Sequence, residues 1–467
     1  MQQAQISKLR LKQLFAQFLF LIRNYSKTYC SRCLCSSICL LSTACSTSTV
    51  EDFYSEEEII IAVDHWQLQQ TRLQTQAEST SLREKAAHFE KLLYQNMHHK
   101  IKLIPKVYMA GKPGPLRLDM SALLLATLAC KYHVLKDPAD KQLINSLVDN
   151  IISADAANGY DGFLPYKVRI VKGHLEVVTN ETHANVYAQL FFAYYNVIYF
   201  VKDKGISEKI RRHLRLIIWH FVSHNFVLYD QRGKEAKYSD LSPSRWAVLH
   251  NRQLSLLSLL DFALFALDKG EDHFLLQEIS ATRTRVIDMG YGLAIQNLHY
   301  SFLGIELPTH SSSWLNFLKM YTGSSSSKDP IYAQAYHSLN RHYDDEQNPF
   351  FQLIGLYITP QGNLEEKLAC IRKTLATFPL DLNRQTVINS RDENIIQVQG
   401  NYVKLQRIME ASTALPMYRR ALNSYEWKRN QKRLDGNFMS SGNIRFSGID
   451  YLQVYWMLRA FEKNNKK

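Results

Sequence analysis

Between Leu254 and Leu267 the chain reads LSLLSLLDFALFAL, where only serines and Asp261 interrupt the apolar residues. A helix with a single apolar stripe can lie on a surface, whereas one that is apolar nearly all round has to be walled in by other helices. The run carries an aspartate and falls short of the ~20 residues that a bilayer crossing needs, so the wall is protein and not lipid. Such a chain must supply enough further helices to surround this one.

Helical spacing does recur along most of the sequence. It predicts helices over Leu82 to His98, with Ala86, Phe89, Leu93 and Met97 on one stripe, and over Asp119 to Val134, Pro138 to Ala157, Glu181 to Lys202, Ser207 to His224 and Pro243 to Asp268. Further helices are predicted over Asp272 to Asn297, Ile331 to Tyr343, Phe350 to Ile358, Leu364 to Thr377 and Gly448 to Phe461. Ser242-Pro243 and Ser447-Gly448 are the clearest starts: a serine cap ahead of a proline whose missing N–H is no loss there, and a serine followed by Asp450 in the first turn. Gly323 to Lys328, GSSSSK, reads as a low-complexity loop and Lys112-Pro113-Gly114-Pro115 as a break. The best strand pair is Leu164–Val171 and His174–Val178, joined by Lys172-Gly173. Roughly ten to twelve helices in antiparallel pairs, with no repeat of fixed period, predict an all-α fold: an (α/α) toroid or helical-hairpin barrel with a small β-hairpin insertion.

Composition narrows the partners. The 467 residues carry a formal charge of +13, but residues 1–50 hold six of the 56 basic residues and none of the 43 acidic ones, which leaves the remainder at +7. No dense basic run with interleaved aromatics follows, so nucleic acid is not an expected partner. Arg23, Lys27 and Arg32 precede a short apolar run, Leu34 to Leu41, that ends in Ser42-Thr43-Ala44-Cys45. The order of charge, apolar run and small residues is that of an export signal. It resembles the bacterial lipoprotein signal, which implies a lipidated Cys45 and a membrane tether; Leu41 stands four residues before the cysteine where that pattern has three. Residues 1–45 are thus expected to be a leader, 46–80 a tether or loosely packed segment, and 81–467 a single helical domain. Only Cys130 and Cys370 lie in the body, and an oxidising compartment permits a disulfide between them.

The densest group of candidate site residues runs from Gly159 to Tyr195. Asp161 lies in a glycine-flanked turn, and Asn180 is placed to cap the next helix, leaving Glu181 and His183 in its first turn. On that helix Asn185, Gln189 and Asn196 share one stripe and His183, Tyr187 and Tyr194 another. One reading is a sugar-lined cleft, with Glu181, His183, Tyr187 and Asp240 as acid–base groups and Asp161, Asn185, Gln189, Arg245 and Arg252 as ligand contacts. The other is capping and core packing. Arg245 and Arg252, seven apart, need carboxylates either from the protein or from an anionic ligand. His213, His220 and His224 share a helical face without the glutamate of a zinc-protease motif, so no metal is expected. The acids at Asp344, Asp345 and Glu346 read as a solvated face or cap, and Tyr451, Tyr455 and Trp456 as core packing. No phosphate loop, dinucleotide fingerprint or nucleophile elbow occurs, and no cofactor is implied.

The layout resembles the six-hairpin (α/α) toroids of bacterial polysaccharide lyases and glycosidases. The C-terminal third, with FPLDLNRQTVINSRDEN, LPMYRRALNSYEW and SGIDYLQVYWMLRA, is similar to exported bacterial helical proteins. These resemblances imply an envelope protein that acts on or binds a polysaccharide by hydrolase- or lyase-like chemistry, or else a non-catalytic lipoprotein of the envelope.

Overall fold

The computed structural model describes residues 71–97, 100–105, 107–109, 112–179, 182, 184–230, 232–236, 239–243, 250–295, 310–360, 364–382, 395–398, 401–404, 414–419, 425–428, 431–432 and 444–465. The leader, Cys45 and most of the expected tether lie outside them. Among these residues twelve helices build the architecture: α1 Leu82–Gln95, α2 Leu118–Leu135, α3 Pro138–Ala156, α4 Ala184–Asn196, α5 Lys204–Ser223, α6 His250–Ala266, α7 His273–Asp288, α8 His310–Ser327, α9 Ile331–Asn340, α10 Pro349–Ile358, α11 Leu364–Ala376 and α12 Ile449–Asn465.

Their neighbours define two concentric rings. The even-numbered helices pack in sequence, α2 on α4, α4 on α6, α6 on α8, α8 on α10, α10 on α12, and α12 returns to α2. The odd-numbered helices lie outside: α3 on α2 and α5, α7 on α5 and α6, α9 on α8 and α10, and α1 on α12 and α11. The fold is therefore an all-α toroid of six helical hairpins. One apolar cluster runs through both rings. The all-apolar α6 is an inner helix, as its sequence requires. α2, long and apolar enough to cross a membrane, is likewise walled in by protein.

Local chemistry sets the helix ends. Ser81 and Glu84 form a reciprocal capping box at α1, Asp137 caps α3 ahead of Pro138, and the Asn348 side chain accepts from the Phe350 and Phe351 amides at α10. Lys136 ends α2 in the left-handed region, and Lys202 does so after a π-helical turn, Val197–Val201, that extends α4. At Ser242-Pro243 the described helix begins only at His250, and the Ser242 hydroxyl donates to Asp240 instead.

Two further elements depart from expectation: α7 ends at Asp288, ahead of Gly290 at φ +89°, instead of running to Asn297, and α8 stands where no helix was expected. GSSSS is not a loop but the last turn of α8, with the Ser327 hydroxyl bonded back to the Gly323 carbonyl. A Cβ at Gly323 would lie 2.2 Å from the Tyr332 ring, so the small residue lets α9 press directly onto α8. Read alone, the stretch is low in complexity; in place, it is a close helix contact.

The two ends of the toroid differ. Connections from an inner helix to the next outer one are short, as at 136–137, 267–272 and 328–330, whereas those from outer to inner are long: 96–117, 157–183, 224–249, 289–309 and 377–448. All the described strands belong to this long-loop end. β1 (Val107–Met109) pairs with β2 (Lys112–Pro113) and β8 (Ile444–Phe446), β3 (Leu116–Arg117) with β4 (Lys167–Val171), β4 with β5 (His174–Thr179), and β6 (Ile395–Val398) with β7 (Asn401–Lys404). The predicted hairpin is β4–β5, and its Lys172-Gly173 turn has both residues at positive φ, the two-residue geometry that matches strand twist.

Candidate functional site

The axis of the inner ring holds two layers about 10 Å apart, because residues seven apart on a helix fall on one stripe two turns from each other. In the deeper layer Asn196 of α4 is the centre. Its Oδ1 accepts from the Tyr321 hydroxyl of α8 at 3.0 Å and from the Cys130 thiol of α2 at 3.7 Å, while its amide nitrogen donates to the Phe192 carbonyl. Tyr321 packs edge-on against Phe192 and against Tyr357 of α10 at 5.2 Å, and Tyr357 reaches α12 through the Phe461 ring and the Met457 carbonyl. Phe265 of α6 lies against Tyr195. All six inner helices thus contribute, and each polar group of the Asn196 cluster has a protein partner. Burial lifts the Tyr321 and Tyr357 phenols far above their ordinary range, so they stay protonated donors.

Two turns toward the long-loop end the pattern reverses. Gln189 stands seven residues before Asn196, Trp314 seven before Tyr321, Phe350 seven before Tyr357 and Gln453 eight before Phe461. The Trp314 and Phe350 rings meet at 5.9 Å, which confirms that the layers run level between α8 and α10. Gln189, Trp314 and Gln453 are 6%, 4% and 0% exposed. Yet Gln189 Oε1, Trp314 Nε1 and both ends of the Gln453 amide have no hydrogen-bond partner among the described residues. A buried amide or indole N–H left in that state costs about 1–3 kcal/mol. The three groups belong to the inner helices α4, α8 and α12.

Above this layer lies the mouth. Asn185, exposed, heads the Gln189 stripe. Asp119, eleven residues and three turns from Cys130, heads the stripe of α2, and Arg117 Nε donates to its Oδ1 at 2.8 Å. The Arg117 guanidinium also lies 3.9 Å over the Tyr166 ring. Burial works against its charge, but the Asp119 hydrogen bond and charge outweigh burial and hold Arg117 protonated. Lys428 pairs with Glu426 at 3.3 Å and sits 6.0 Å from the Trp314 ring. Trp427 is fixed beneath by α12: its amide donates to Asp450 Oδ1 and its indole to the Asp450 carbonyl. Arginine, carboxylates and aromatic faces therefore frame the polar layer.

The sequence-predicted residues divide. Gln189 and Asn185 fall on the axial stripe. Tyr187 does not: its hydroxyl donates to the Gly162 carbonyl at 2.9 Å and accepts from the Leu164 amide at 3.0 Å, and burial raises the phenol well out of the acid–base range. It is a strut for the 158–164 turn, not a proton donor to a ligand. The same turn is held by Asp155 on the Gly162 amide and Asn158 on the Phe163 carbonyl. Gly162, at φ +79°, sits against the α5 backbone with room for no side chain. Asp161 is exposed at its tip. Asp240 pairs with Arg252 at 3.0 Å and binds the Ser242 amide and hydroxyl, so these two residues satisfy each other. Glu181, His183 and Arg245 lie outside the described residues.

The histidine trio is absorbed by packing. His213 bridges the Tyr194 hydroxyl at 2.6 Å and Asp155 at 3.0 Å, while His220 and His224 pack ring to ring at 4.6 Å beside Tyr160. Cys130 and Cys370 are free thiols on separate helices, bonded to Asn196 and Gln352, so the permitted disulfide is absent. Trp314, Gln453, Asp119 and Arg117 escaped sequence reasoning. Only the seven-residue spacing to an aromatic could have singled out Trp314, and it does so for most core residues too.

No family model matches the chain, and no curated protein sequence does. Among solved structures it is similar to a sugar epimerase from a ruminal bacterium, at 8% identity and a TM-score of 0.44 over 82% of this chain and 98% of that one. It is also similar to cellobiose 2-epimerase from Bacillus thermoamylovorans, at 11% identity and a TM-score of 0.44 over 82% and 99%. Likeness at this level says nothing of activity, and the toroid rests on the helix neighbourhoods described above.

Proposed function

We propose that the chain is a carbohydrate-acting protein whose sugar sits on the toroid axis at the long-loop end. The observation that carries this reading is the layer of Gln189 Oε1, Trp314 Nε1 and the Gln453 amide, buried groups that lack hydrogen-bond partners among the described residues. Sugar hydroxyls, each donor and acceptor, match amide and indole groups, and aromatic faces such as Tyr166 match the C–H faces of a pyranose. The carboxylates for acid–base chemistry are Asp119 and Glu426; Glu181 and His183, expected from the sequence, remain further candidates, whereas Asp240 is occupied by Arg252 and Ser242. Incubating the purified protein with neutral and uronic-acid saccharides, and following new reducing ends, unsaturated products and epimers, tests it. Turnover lost in Asp119→Asn with binding retained would assign the chemistry. Binding without turnover of any substrate would leave the non-catalytic envelope protein as the reading, which the tight Arg117–Asp119 pair favours. Export and a lipid tether at Cys45 are part of the same proposal: Cys45→Ser should abolish lipid labelling and membrane retention.

A further inference from the structure

We infer that the axial site takes the end of a neutral saccharide, or a saccharide of one or two units, and excludes the interior of a long chain. This rests on the carbohydrate reading above and adds the substrate class. The floor beneath the site carries it. Asn196 has its oxygen filled by Tyr321 and Cys130 and its nitrogen by the Phe192 carbonyl, and Tyr357 is spent on the Met457 carbonyl. The rings of Phe192, Tyr321 and Tyr357 close edge to face around this cluster. A ligand entering between the inner-helix N-termini therefore stops there. An internal unit of a polymer needs two ways out for its neighbours, whereas a terminal unit needs one. A chain lying across the mouth would meet Asn185, Tyr166 and Lys428 but leave the fully buried Gln453 without a partner.

The layer also sets the charge of the ligand. It offers one donor, Trp314 Nε1, one acceptor, Gln189 Oε1, and one group that is both, the Gln453 amide. None of the three is ionised. A hydroxyl answers all of them, while a carboxylate would face the oxygens of both glutamines, and the cations at the rim, Arg117 and Lys428, are already paired with Asp119 and Glu426.

The experiment uses the full chain and pairs of glucans that share a linkage and differ only in having ends: maltohexaose against α-cyclodextrin, and linear against cyclic β-1,2-glucan. Maltose, cellobiose, lactose and digalacturonic acid serve as short probes. Binding is read by calorimetry and by Trp fluorescence. At least one linear or short neutral glycan should bind tenfold or more tighter than its cyclic or acidic counterpart. Gln453→Leu should weaken it at least tenfold while the protein melts no lower. Equal affinity for cyclic and linear partners, or preference for the uronate, overturns the inference and leaves the carbohydrate reading standing; binding of none of these glycans sinks both.

Discussion

The two layers of the toroid axis are built on the same inner helices, two turns apart, and obey opposite rules. In the deeper layer Asn196, Tyr321, Cys130 and Tyr357 satisfy one another, and the result is rigid and closed. In the upper layer Gln189 Oε1, Trp314 Nε1 and the Gln453 amide are as well buried and have no hydrogen-bond partner among the described residues. Burial is common to both, so burial does not separate floor from site. The state of the hydrogen bonds does: a polar network completed within the protein stabilises the fold, and the one left open at comparable depth is where the proposed saccharide would find its partners.

Substitutions in each layer should show this difference, beginning with the largest effect. Tyr321→Ala removes a ring that touches two other inner helices, α4 and α10, and strips Asn196 of a donor. Chemical denaturation should report a loss of about 3–5 kcal/mol, the cost of an aromatic truncated in a core. A loss below about 1 kcal/mol would mean that the floor is not closed as described.

Lys319 on α8 is the exception to the rule, since it is buried at floor depth with no acid to offset that burial among the causes acting on it. Burial alone pushes its ammonium down to about 7. A folded-state pKa below the unfolded value means that the unfolded chain binds the extra proton. Stability should therefore rise with pH between about 7 and 10.5 and be lower below that window. Lys319→Met should remove this slope and raise stability near pH 7 by roughly 4–5 kcal/mol, at about 1.4 kcal/mol per pH unit. A variant with an unchanged pH profile would show that the amine has found a partner.

Gln453→Leu reverses the sign expected of a core substitution. With the orphaned amide gone, stability should increase by about 1–2 kcal/mol even as ligand binding falls. A destabilised variant would place Gln453 with the floor and erase the distinction between layers. Arg252→Ala, at the rim, should shift stability by less than about 1 kcal/mol, because its pair with Asp240 is partly solvated; a larger loss would make the rim part of the structural core.

Much of the ring was legible in the sequence. Leu254–Leu267 demanded enclosure, and periodicity located nine of the twelve helices within a few residues, while α6 was placed but its start was not and α7 was run nine residues past its end at Asp288. α8 was missed altogether because GSSSS has loop composition and because its helical role depends on the Tyr332 ring lying against Gly323. The site was legible in one stripe only. Asn185, Gln189 and Asn196 were aligned by spacing alone, but which of them faces a ligand depends on the helices opposite. Tyr187, on the neighbouring stripe, was given acid–base work, and its hydroxyl is spent on a turn that folds back from residues 162 and 164. Gln453 and Trp314 look like ordinary core residues until the ring closes around them.

That closure has a consequence in time. The last helix, α12, completes the ring by packing on α2, and the Tyr451 hydroxyl reaches the Leu82 carbonyl at the start of α1, 369 residues away in sequence. Contacts of such separation form late, since the loop they close must first be ordered. While α12 is still in the ribosome the apolar inner helices have no closed ring to enter, and their exposed faces favour aggregation until it emerges. Removing Ile449–Asn465 should therefore leave a chain that collapses without forming the toroid at all, rather than a toroid with one helix missing.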